Sequence, residues 1–335
     1  MMAHSIDYII EKSLQGEELN KEEIAALFAV ETFSVNSFKI QLASRKKSIL
    51  ASNGKAEVHA QVGLNVSPCP KNCEFCSFAA KNKIFDKHIE HSLAAVTQSC
   101  LQFEEDGANA IYLMITANFP FERFLEIAGE VRKKLKPETV MIANVPDFNK
   151  EQAKKLKDSG FTGVYHALRI GEGKVTAISP HDRKKTFEAA REAGLVVGTC
   201  VEPVGPEHSI EELVEATIIT REIKPAYSGS ARRIPIPSTE MAKLGKVTEA
   251  RMAHILAVVR LAMGYDIPGN CTHEPNVIGA AFGANLFWAE VGSNPRDVDE
   301  NTEKGRGMSV KQCRELFLEA EWETRIGPSK WWNLR

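Results

Sequence analysis

The sequence predicts an α/β fold of the (β/α)8 TIM barrel type, and three observations support this fold class. Eight short runs with strand-like composition follow one another after residue 55. Amphipathic segments of helical length separate most of them, and serial strand–helix units give parallel strands with right-handed crossovers. A doubly wound open sheet is the alternative, but no G-x-G-x-x-G sequence follows the first strand. We therefore expect the closed barrel.

The predicted strands are short, and several are bounded by glycine, proline or asparagine. Their number equals the eight strands of a closed barrel of this type. In chain order they are AEVHAQVGLNV, AIYLMIT, VMIANV, GVYHALRI, LVVGTCVEP, AYSGSARRIPI, YDIPG and GANLFWAEV.

The predicted helices between the strands have recognisable start signals, with Asn149, Ser209 and Thr248 as N-caps. They are HSLAAVTQSCLQFEEDG, FERFLEIAGEVRKKL, NKEQAKKLKDSG, SPHDRKKTFEAAREAG, SIEELVEATIITREIKP and TEARMAHILAVVRLAMG. Two further helical runs, NKEEIAALFAV and VNSFKIQLASRKKSILAS, precede the first strand. We divide the chain into a helical extension at 1–55, the barrel at 56–297 and a helical tail at 298–335.

The composition argues against several classes of partner. The formal net charge of -2 and the isoelectric point near 6.5 give no basic surface for nucleic acid or an anionic membrane. No export signal and no apolar run of about 20 residues is present, so we expect a cytoplasmic protein. Seven cysteines are an odd number, which favours metal or catalytic use over a disulfide framework.

Three of the cysteines, Cys69, Cys73 and Cys76, occur together in SPCPKNCEFCSF, directly after the first predicted strand. Structural zinc is nearly always bound by four protein ligands, so a zinc site here needs a distant fourth ligand. The candidates for that ligand are His59, Cys100 and Cys271. A [4Fe-4S] cluster held by three cysteines needs no fourth ligand and leaves one iron open, as catalytic metal sites do.

The spacing C-x3-C-x-aromatic-C, with Phe75 before Cys76, resembles the motif of the radical S-adenosylmethionine (radical SAM) enzymes. The resemblance implies that SAM binds the open iron and that Phe75 lies beside the adenine. It also implies one-electron cleavage of SAM to methionine and a 5′-deoxyadenosyl radical, which removes hydrogen from a small polar substrate. The implied electron donor is a ferredoxin or flavodoxin.

Within this superfamily, residues 25–295 resemble the group of biotin synthase, methylornithine synthase and the related hydrogenase maturase. In that pattern the arginine of HDRKKTFEAAREAGLVV, Arg183, binds the SAM carboxylate, and Glu172 is near the ribose hydroxyls. The segment GTCVEPVGPE, which contains Gly198 and Glu202, is similar to the element that supports the adenine. Where the family often has a Gly-Gly-Glu loop for the SAM amino group, this chain has ITANFP, whose Thr116, Ala117 and Asn118 offer backbone carbonyls.

Biotin synthase also holds an auxiliary [2Fe-2S] cluster that donates sulfur, and the corresponding strand positions here carry Leu113, Asn144 and Gly198 instead of cysteine. We therefore expect that cluster to be absent. Four other cysteines remain, so sulfur insertion with a differently arranged cluster is the alternative function. They are Cys100, Cys200, Cys271 and Cys313.

The substrate is expected deeper in the barrel. One of Arg232 and Arg233 must point inward from the sixth strand, where it would bind a carboxylate or phosphate or form a salt bridge in the barrel wall. His273 in GNCTHEPN is a candidate for substrate binding, proton transfer or metal ligation, and the alternative is that this polar segment caps the helix that follows. Trp331 and Trp332 are expected to seal the barrel base or to contact a partner. A non-enzymatic iron–sulfur carrier and a zinc-dependent hydrolase are the other functional alternatives.

Overall fold

Eight parallel strands alternate with helices along the chain in a computed structural model that describes residues 5–332. The fifth strand is interrupted at Thr199 and Cys200 and therefore has two segments. The strands are β1 (Lys55–Gly63), β2 (Ala110–Met114), β3 (Met141–Asn144), β4 (Gly163–Tyr165), β5 (Val196–Gly198 and Val201–Val204), β6 (Tyr227–Arg232), β7 (Gly269–Cys271) and β8 (Leu286–Gly292).

The sheet closes on itself through the interrupted strand β5. Each strand pairs in parallel with the next in the sequence, and β1 pairs with both β2 and β8. The first segment of β5 pairs with β4 and the second with β6. The first segment also reaches the start of β6, because the amide of Ala226 donates to the carbonyl of Val197 at 2.8 Å. The predicted (β/α)8 barrel is confirmed, and the open sheet is excluded.

The seventh strand begins later than predicted. The sequence YDIPG was expected to form it, but the strand starts at Gly269 and continues into GNCTHEPN. Pro268 has no N–H to donate to a sheet, which keeps the preceding residues out of the ladder. From Gly269 to Cys271 the backbone pairs with β6. The polar residues His273 and Glu274 therefore lie directly after the carboxyl end of this strand.

The helices closely follow their predicted positions, and the predicted N-caps Asn149, Ser209 and Thr248 each accept a hydrogen bond from the first turn. Three helices precede β1, and their apolar residues share one core with those of α8 and α9. The helices are α1 (Ile6–Leu14), α2 (Lys21–Phe28), α3 (Val35–Ser52), α4 (Leu93–Glu105), α5 (Phe121–Lys134), α6 (Lys150–Asp158), α7 (Pro180–Glu192), α8 (Ile210–Ile223), α9 (Glu249–Ala262), α10 (Val277–Ala281) and α11 (Val310–Glu319).

Aromatic side chains fill the amino-terminal end of the barrel, which we call the barrel base. Tyr112, Tyr227 and Trp288 point inward from their strands, and Trp331 and Trp332 close the base from below. The tail also adds Glu323–Thr324 to the edge of β1. The barrel interior is thus packed at its base and open only toward the carboxyl ends of the strands. Within residues 5–332, no helix combines the length and apolar character needed to cross a membrane.

Candidate active site

The carboxyl ends of the strands enclose a cavity with a volume of about 210 Å³. Barrel enzymes build their active sites at this end, where the loops that follow the strands converge. The cavity brings together most of the residues that the sequence singled out. These lining residues are Cys69, Cys73, Phe75, Cys76, Thr116, Ala117, Arg183, Glu202, Arg232, Arg233 and His273.

The cysteine loop, residues 67–79, is held in place by backbone hydrogen bonds. The amide of Cys69 donates to the carbonyl of Phe78 at 2.7 Å, which folds the loop back on itself. The amide of Ser77 donates to the carbonyl of Pro295 in the loop after β8, at 3.0 Å. The loop therefore forms one wall of the cavity and is fixed both internally and to its neighbour.

The motif sulfur atoms are spaced for a cluster rather than for one ion. The sulfurs of Cys69, Cys73 and Cys76 do not all lie within 4.8 Å of one another. Two thiolates on one zinc ion can be at most about 4.6 Å apart, whereas a cluster binds each cysteine through a different iron. Burial raises the pKa of the Cys73 thiol to about 11, although Arg169 and Arg183 oppose the shift. Metal binding must therefore displace protons.

The zinc alternative lacks its fourth ligand in the described part of the chain. His59 lies at the barrel base, where its Nδ1 is 2.9 Å from the hydroxyl of Tyr112. Cys100 is buried in α4 among apolar residues, and Cys271 faces Cys200 inside the barrel. None of the three candidates lines the cavity beside the cysteine loop.

Arg183 stands at the start of α7 in a network of charged groups on one side of the cavity. Its Nε donates to Glu172 at 3.1 Å, and its Nη1 donates to Asp147 at 3.3 Å. His166 Nε2 lies 3.1 Å from the same Asp147 oxygen. These contacts involve Nε and Nη1 of Arg183, and the side chain also lines the cavity.

Burial and pairing with neighbouring groups set the pKa values of His166 and Asp147 in this network. Burial lowers the pKa of His166 to about 4, so its imidazole is neutral near pH 7. Burial raises the pKa of the Asp147 carboxyl, but the hydrogen bond from His166 and the charge of Arg183 outweigh this and lower it to about 2. Asp147 is therefore ionised across the physiological range.

A second charged pair lines the cavity. Glu202, on the second segment of β5, forms an ion pair with Arg169, whose Nε is 3.3 Å from the Glu202 carboxylate. Burial lowers the pKa of Arg169, but the charges of Glu202 and Glu172 outweigh it and raise the pKa, so the guanidinium stays charged. His273 is buried nearby, with its Nδ1 3.9 Å from Glu202. Burial lowers the pKa of His273 well below its ordinary value, which keeps the ring neutral.

The loop after β2, residues 115–118, is bonded to the cysteine loop. Asn65 donates to the Thr116 hydroxyl at 2.7 Å, and Thr116 in turn donates to Asn118 at 2.9 Å. The Asn118 amide donates to the Ser67 hydroxyl at 2.6 Å, at the start of the cysteine loop. Asn118 itself is not a lining residue, so it acts here as a brace for the two loops.

Arg232 at the end of β6 and Arg233 directly after it both line the cavity, and both are paired with carboxylates. The expectation that only one of them points inward was wrong, because Arg233 lies beyond the strand and is not bound by its alternation. Arg232 forms an ion pair with Glu274, and its Nη2 lies 3.2 Å from Glu249. Arg233 forms an ion pair with Glu207. The salt bridge in the barrel wall, which the sequence left open as one alternative, is therefore present at both positions.

The structure does not bring three of the expected cofactor residues to the cavity, and Asn118 is one of them. Glu172 is buried beneath Arg183 and accepts its Nε–H, so it supports the arginine instead of lining the cavity. Gly198 lies at the level of the barrel base, where an added Cβ would collide with Tyr227 and Trp332. Leu113, which the sequence comparison placed opposite a cluster cysteine of biotin synthase, packs with the outer helices, and the neighbouring Met114 lines the cavity.

Several charged or polar residues of the cavity were not identified from the sequence, and five of them take part in its ion pairs. Four of these five follow a strand and Glu290 lies near the end of one, which is the only local signal that could have marked them. Among them, Glu290 on β8 accepts from Arg296 at 2.7 Å and is buried. The five residues are Asp147, His166, Arg169, Glu290 and Arg296.

Comparison with known proteins agrees with this geometry. The radical SAM superfamily profile matches residues 67–217. A biotin synthase from Renibacterium salmoninarum is 27% identical over 256 residues, covering 74% of each chain. One from Clostridioides difficile is 25% identical over 341 residues, covering 92% of this chain and 99% of the relative.

Two solved structures share the fold. The FeFe-hydrogenase maturase HydG from Carboxydothermus hydrogenoformans superposes with a TM-score of 0.79 at 18% identity, covering 96% of this chain and 79% of its own. Methylornithine synthase (PylB) superposes with a TM-score of 0.79 at 14% identity, covering 96% and 98%. Residues 67–217 thus match the radical SAM superfamily, and the chain is similar to the biotin synthases over most of its length.

Proposed function

We propose that this protein is a radical SAM enzyme that binds a [4Fe-4S] cluster and SAM and abstracts hydrogen from a small polar substrate inside the barrel. The observation that carries the proposal is the shared cavity of Cys69, Cys73 and Cys76 with Arg183. Three thiol ligands and a buried arginine meet in one cavity, which a non-enzymatic cluster carrier or a hydrolase does not require.

The residues present fit the two cofactors. Cys69, Cys73 and Cys76 line the same cavity and would hold the cluster, each through a different iron. Arg183 would bind the carboxylate of SAM, and Phe75 would contact the adenine. The backbone carbonyls of Thr116 and Ala117 would face the amino group of SAM. Bound together, the cluster and SAM supply a one-electron cleavage that generates a hydrogen-abstracting radical.

The chain's own residues prepare the cavity for this chemistry. The base beneath the cavity is filled by packed rings, including Trp288 and Tyr227, so water can enter from one end only. A closed cavity protects a reactive carbon radical from solvent. The imidazoles of His166 and His273 are neutral, and the charge of Arg169 is balanced by Glu202. These three side chains therefore add no unpaired charge to the cavity, which suits a small substrate held by hydrogen bonds.

The direct test is SAM cleavage. Anaerobically reconstituted protein, reduced with dithionite, should produce 5′-deoxyadenosine from SAM, whereas Cys73→Ala should not. Cys100→Ser is a matched control, because Cys100 is buried in α4 away from the cavity. Equal product from the wild type and Cys73→Ala, or none from either, would refute the proposal.

The reductant in this proposal is a ferredoxin or flavodoxin that docks beside the cysteine loop. Lys83 and Lys87 are exposed just beyond this loop and offer positive charge to an acidic carrier. Lys83→Glu/Lys87→Glu should slow SAM cleavage driven by reduced flavodoxin at least about fivefold at low salt, and leave the dithionite-driven rate unchanged. Equal slowing with both reductants would contradict this docking site.

Sulfur insertion is the second candidate, favoured by the biotin synthases among the relatives. It would require a second source of sulfur beyond the cysteine-loop cluster. Asn144 lines the cavity, and neither it nor Leu113 or Gly198, the positions compared with the cluster cysteines of biotin synthase, is a cysteine. Iron and sulfide of about four each per reconstituted chain would support the first proposal, and clearly higher values would support sulfur insertion.

A further inference from the structure

Cys200, Cys271 and His273 form a second group of metal-ligand side chains, separate from the cysteine loop. One ligand atom from each of the three residues lies within 4.8 Å of the other two, an arrangement not found for other His, Cys, Asp or Glu residues of the described chain. Cys200 interrupts β5, Cys271 ends β7, and 71 positions separate them in the sequence. The barrel therefore brings these ligands together through tertiary structure alone.

The backbone spacing of the two cysteines suits a bridging ion better than a direct bond. The two sulfur atoms are in contact as a disulfide pair, but their Cα atoms are 7.4 Å apart. Disulfides usually have Cα separations of about 4.4–6.8 Å. Two thiolates on one tetrahedral zinc ion, each at about 2.3 Å, have sulfur atoms about 3.8 Å apart, which such a wide backbone spacing accommodates.

His273 is positioned as the third ligand. Its Nε2 lies 3.5 Å from the sulfur of Cys200, and its Nδ1 faces Glu202 at 3.9 Å. A carboxylate at the second ring nitrogen is the arrangement that orients metal-binding histidines. The rings of Tyr165 and Trp288, at 5.7 and 5.3 Å between centroids, limit rotation of the imidazole.

We propose that Cys200, Cys271 and His273 bind a zinc ion at the floor of the substrate cavity. Two thiolates and one imidazole are a ligand set found at catalytic zinc sites, where the fourth position binds water or substrate. Both cysteines are buried, and His273 is the ligand that lines the cavity, so the fourth position faces the cavity. Such an ion would bind an oxygen or sulfur atom of the substrate. Radical SAM chemistry does not itself require this site.

The test uses reconstituted holoenzyme, in which iron already occupies the cysteine loop. After reduction with a phosphine, addition of Zn²⁺ and removal of excess metal, we expect about one zinc per chain. Cys271→Ser and His273→Ala should each lower the zinc content at least about fivefold, and the matched control Cys100→Ser should retain it. Zinc-edge X-ray absorption should show two sulfur neighbours at about 2.3 Å. Circular dichroism confirms that each variant is folded.

Three results would overturn the proposal. Zinc content unchanged in folded Cys271→Ser would place the ion elsewhere. A Cys200–Cys271 peptide that stays cross-linked in mass spectrometry of the zinc-treated, phosphine-reduced protein would identify a stable disulfide. Iron above about four per chain that is lost in Cys271→Ser, with no zinc, would identify a second iron–sulfur cluster. Metal content is read without SAM cleavage, so failure here and failure of the proposed function are distinguishable.

Discussion

Arg183 and Glu172 form an ion pair of 3.1 Å in which both side chains are almost fully buried. Removing one member of such a pair leaves an uncompensated charge in the interior, which typically costs about 3–5 kcal/mol. We expect Glu172→Ala to lower the free energy of unfolding by that amount, measured by urea denaturation.

A double-mutant cycle separates the energy of the Arg183–Glu172 ion pair from the effect of losing either side chain alone. Glu172→Gln/Arg183→Gln should cost clearly less than the sum of the two single substitutions, because neither charge is then left alone. Additive losses would show that the two groups are not coupled. Arg183→Gln should also weaken SAM binding, measured by calorimetry on the reconstituted protein.

The backbone of the cysteine loop depends on Asn72. This residue has a positive φ of 49°, and its side chain accepts the amide of Lys81 at 2.9 Å. A β-branched residue in that conformation costs about 1–3 kcal/mol. Asn72→Val should therefore reduce iron incorporation to less than half of the wild-type value, measured after anaerobic reconstitution. Asn72→Gly, which keeps the conformation, should retain most of it, and equal iron in both variants would contradict this role.

Gly198 leaves no room for a side chain at the barrel base. Its missing Cβ would collide with the rings of Tyr227 and Trp332. Gly198→Ala should therefore lower the free energy of unfolding by about 1–3 kcal/mol, as overpacked cores do. Gly129→Ala is the control, because Gly129 lies in α5 with open space around it and alanine favours helix by about 1 kcal/mol. Equal effects of the two substitutions would rule out a packing role.

His254 makes stability depend on pH. Its Nδ1 is 2.8 Å from the Ser37 hydroxyl and its Nε2 is 3.0 Å from the Leu27 carbonyl, so it joins α9 to the N-terminal helices. Burial, with the charge of Arg251, lowers its pKa from 6.5 to about 4. Between these values the unfolded chain binds a proton that the folded chain does not, so stability falls as pH falls from 6.5 toward 4.

The predicted slope is up to about 1.4 kcal/mol per pH unit from this one group. His254→Gln should reduce the pH dependence of the free energy of unfolding by that amount in the same window, as measured by denaturant titrations at several pH values. Parallel curves for wild type and variant would show that His254 titrates alike in both states.

Local patterns predicted most of the fold. Strand composition and the caps at Asn149, Ser209 and Thr248 are properties of short segments, and they placed the elements correctly. The cysteine motif is equally local, so Cys69 and its partners were identified at once. The seventh strand was misplaced because Pro268 comes directly before the strand instead of lying within it.

What the sequence could not predict depends on contacts between distant segments. A one-residue difference in register exchanges the inward and outward faces of a strand, which is why Met114 and not Leu113 faces the cavity. The pairing of Arg169 with Glu202 joins the ends of two different strands. Cys200 and Cys271 are in contact although 71 positions separate them, and the residues flanking either cysteine do not indicate this contact.

The two tryptophans that close the barrel base come from the last residues that the structure describes, Trp331 and Trp332. During translation every barrel strand emerges from the ribosome before them. A chain that lacks these two residues leaves the rings of Tyr112 and Tyr227 without their cover. The barrel base can therefore close only after both tryptophans have been added to the chain.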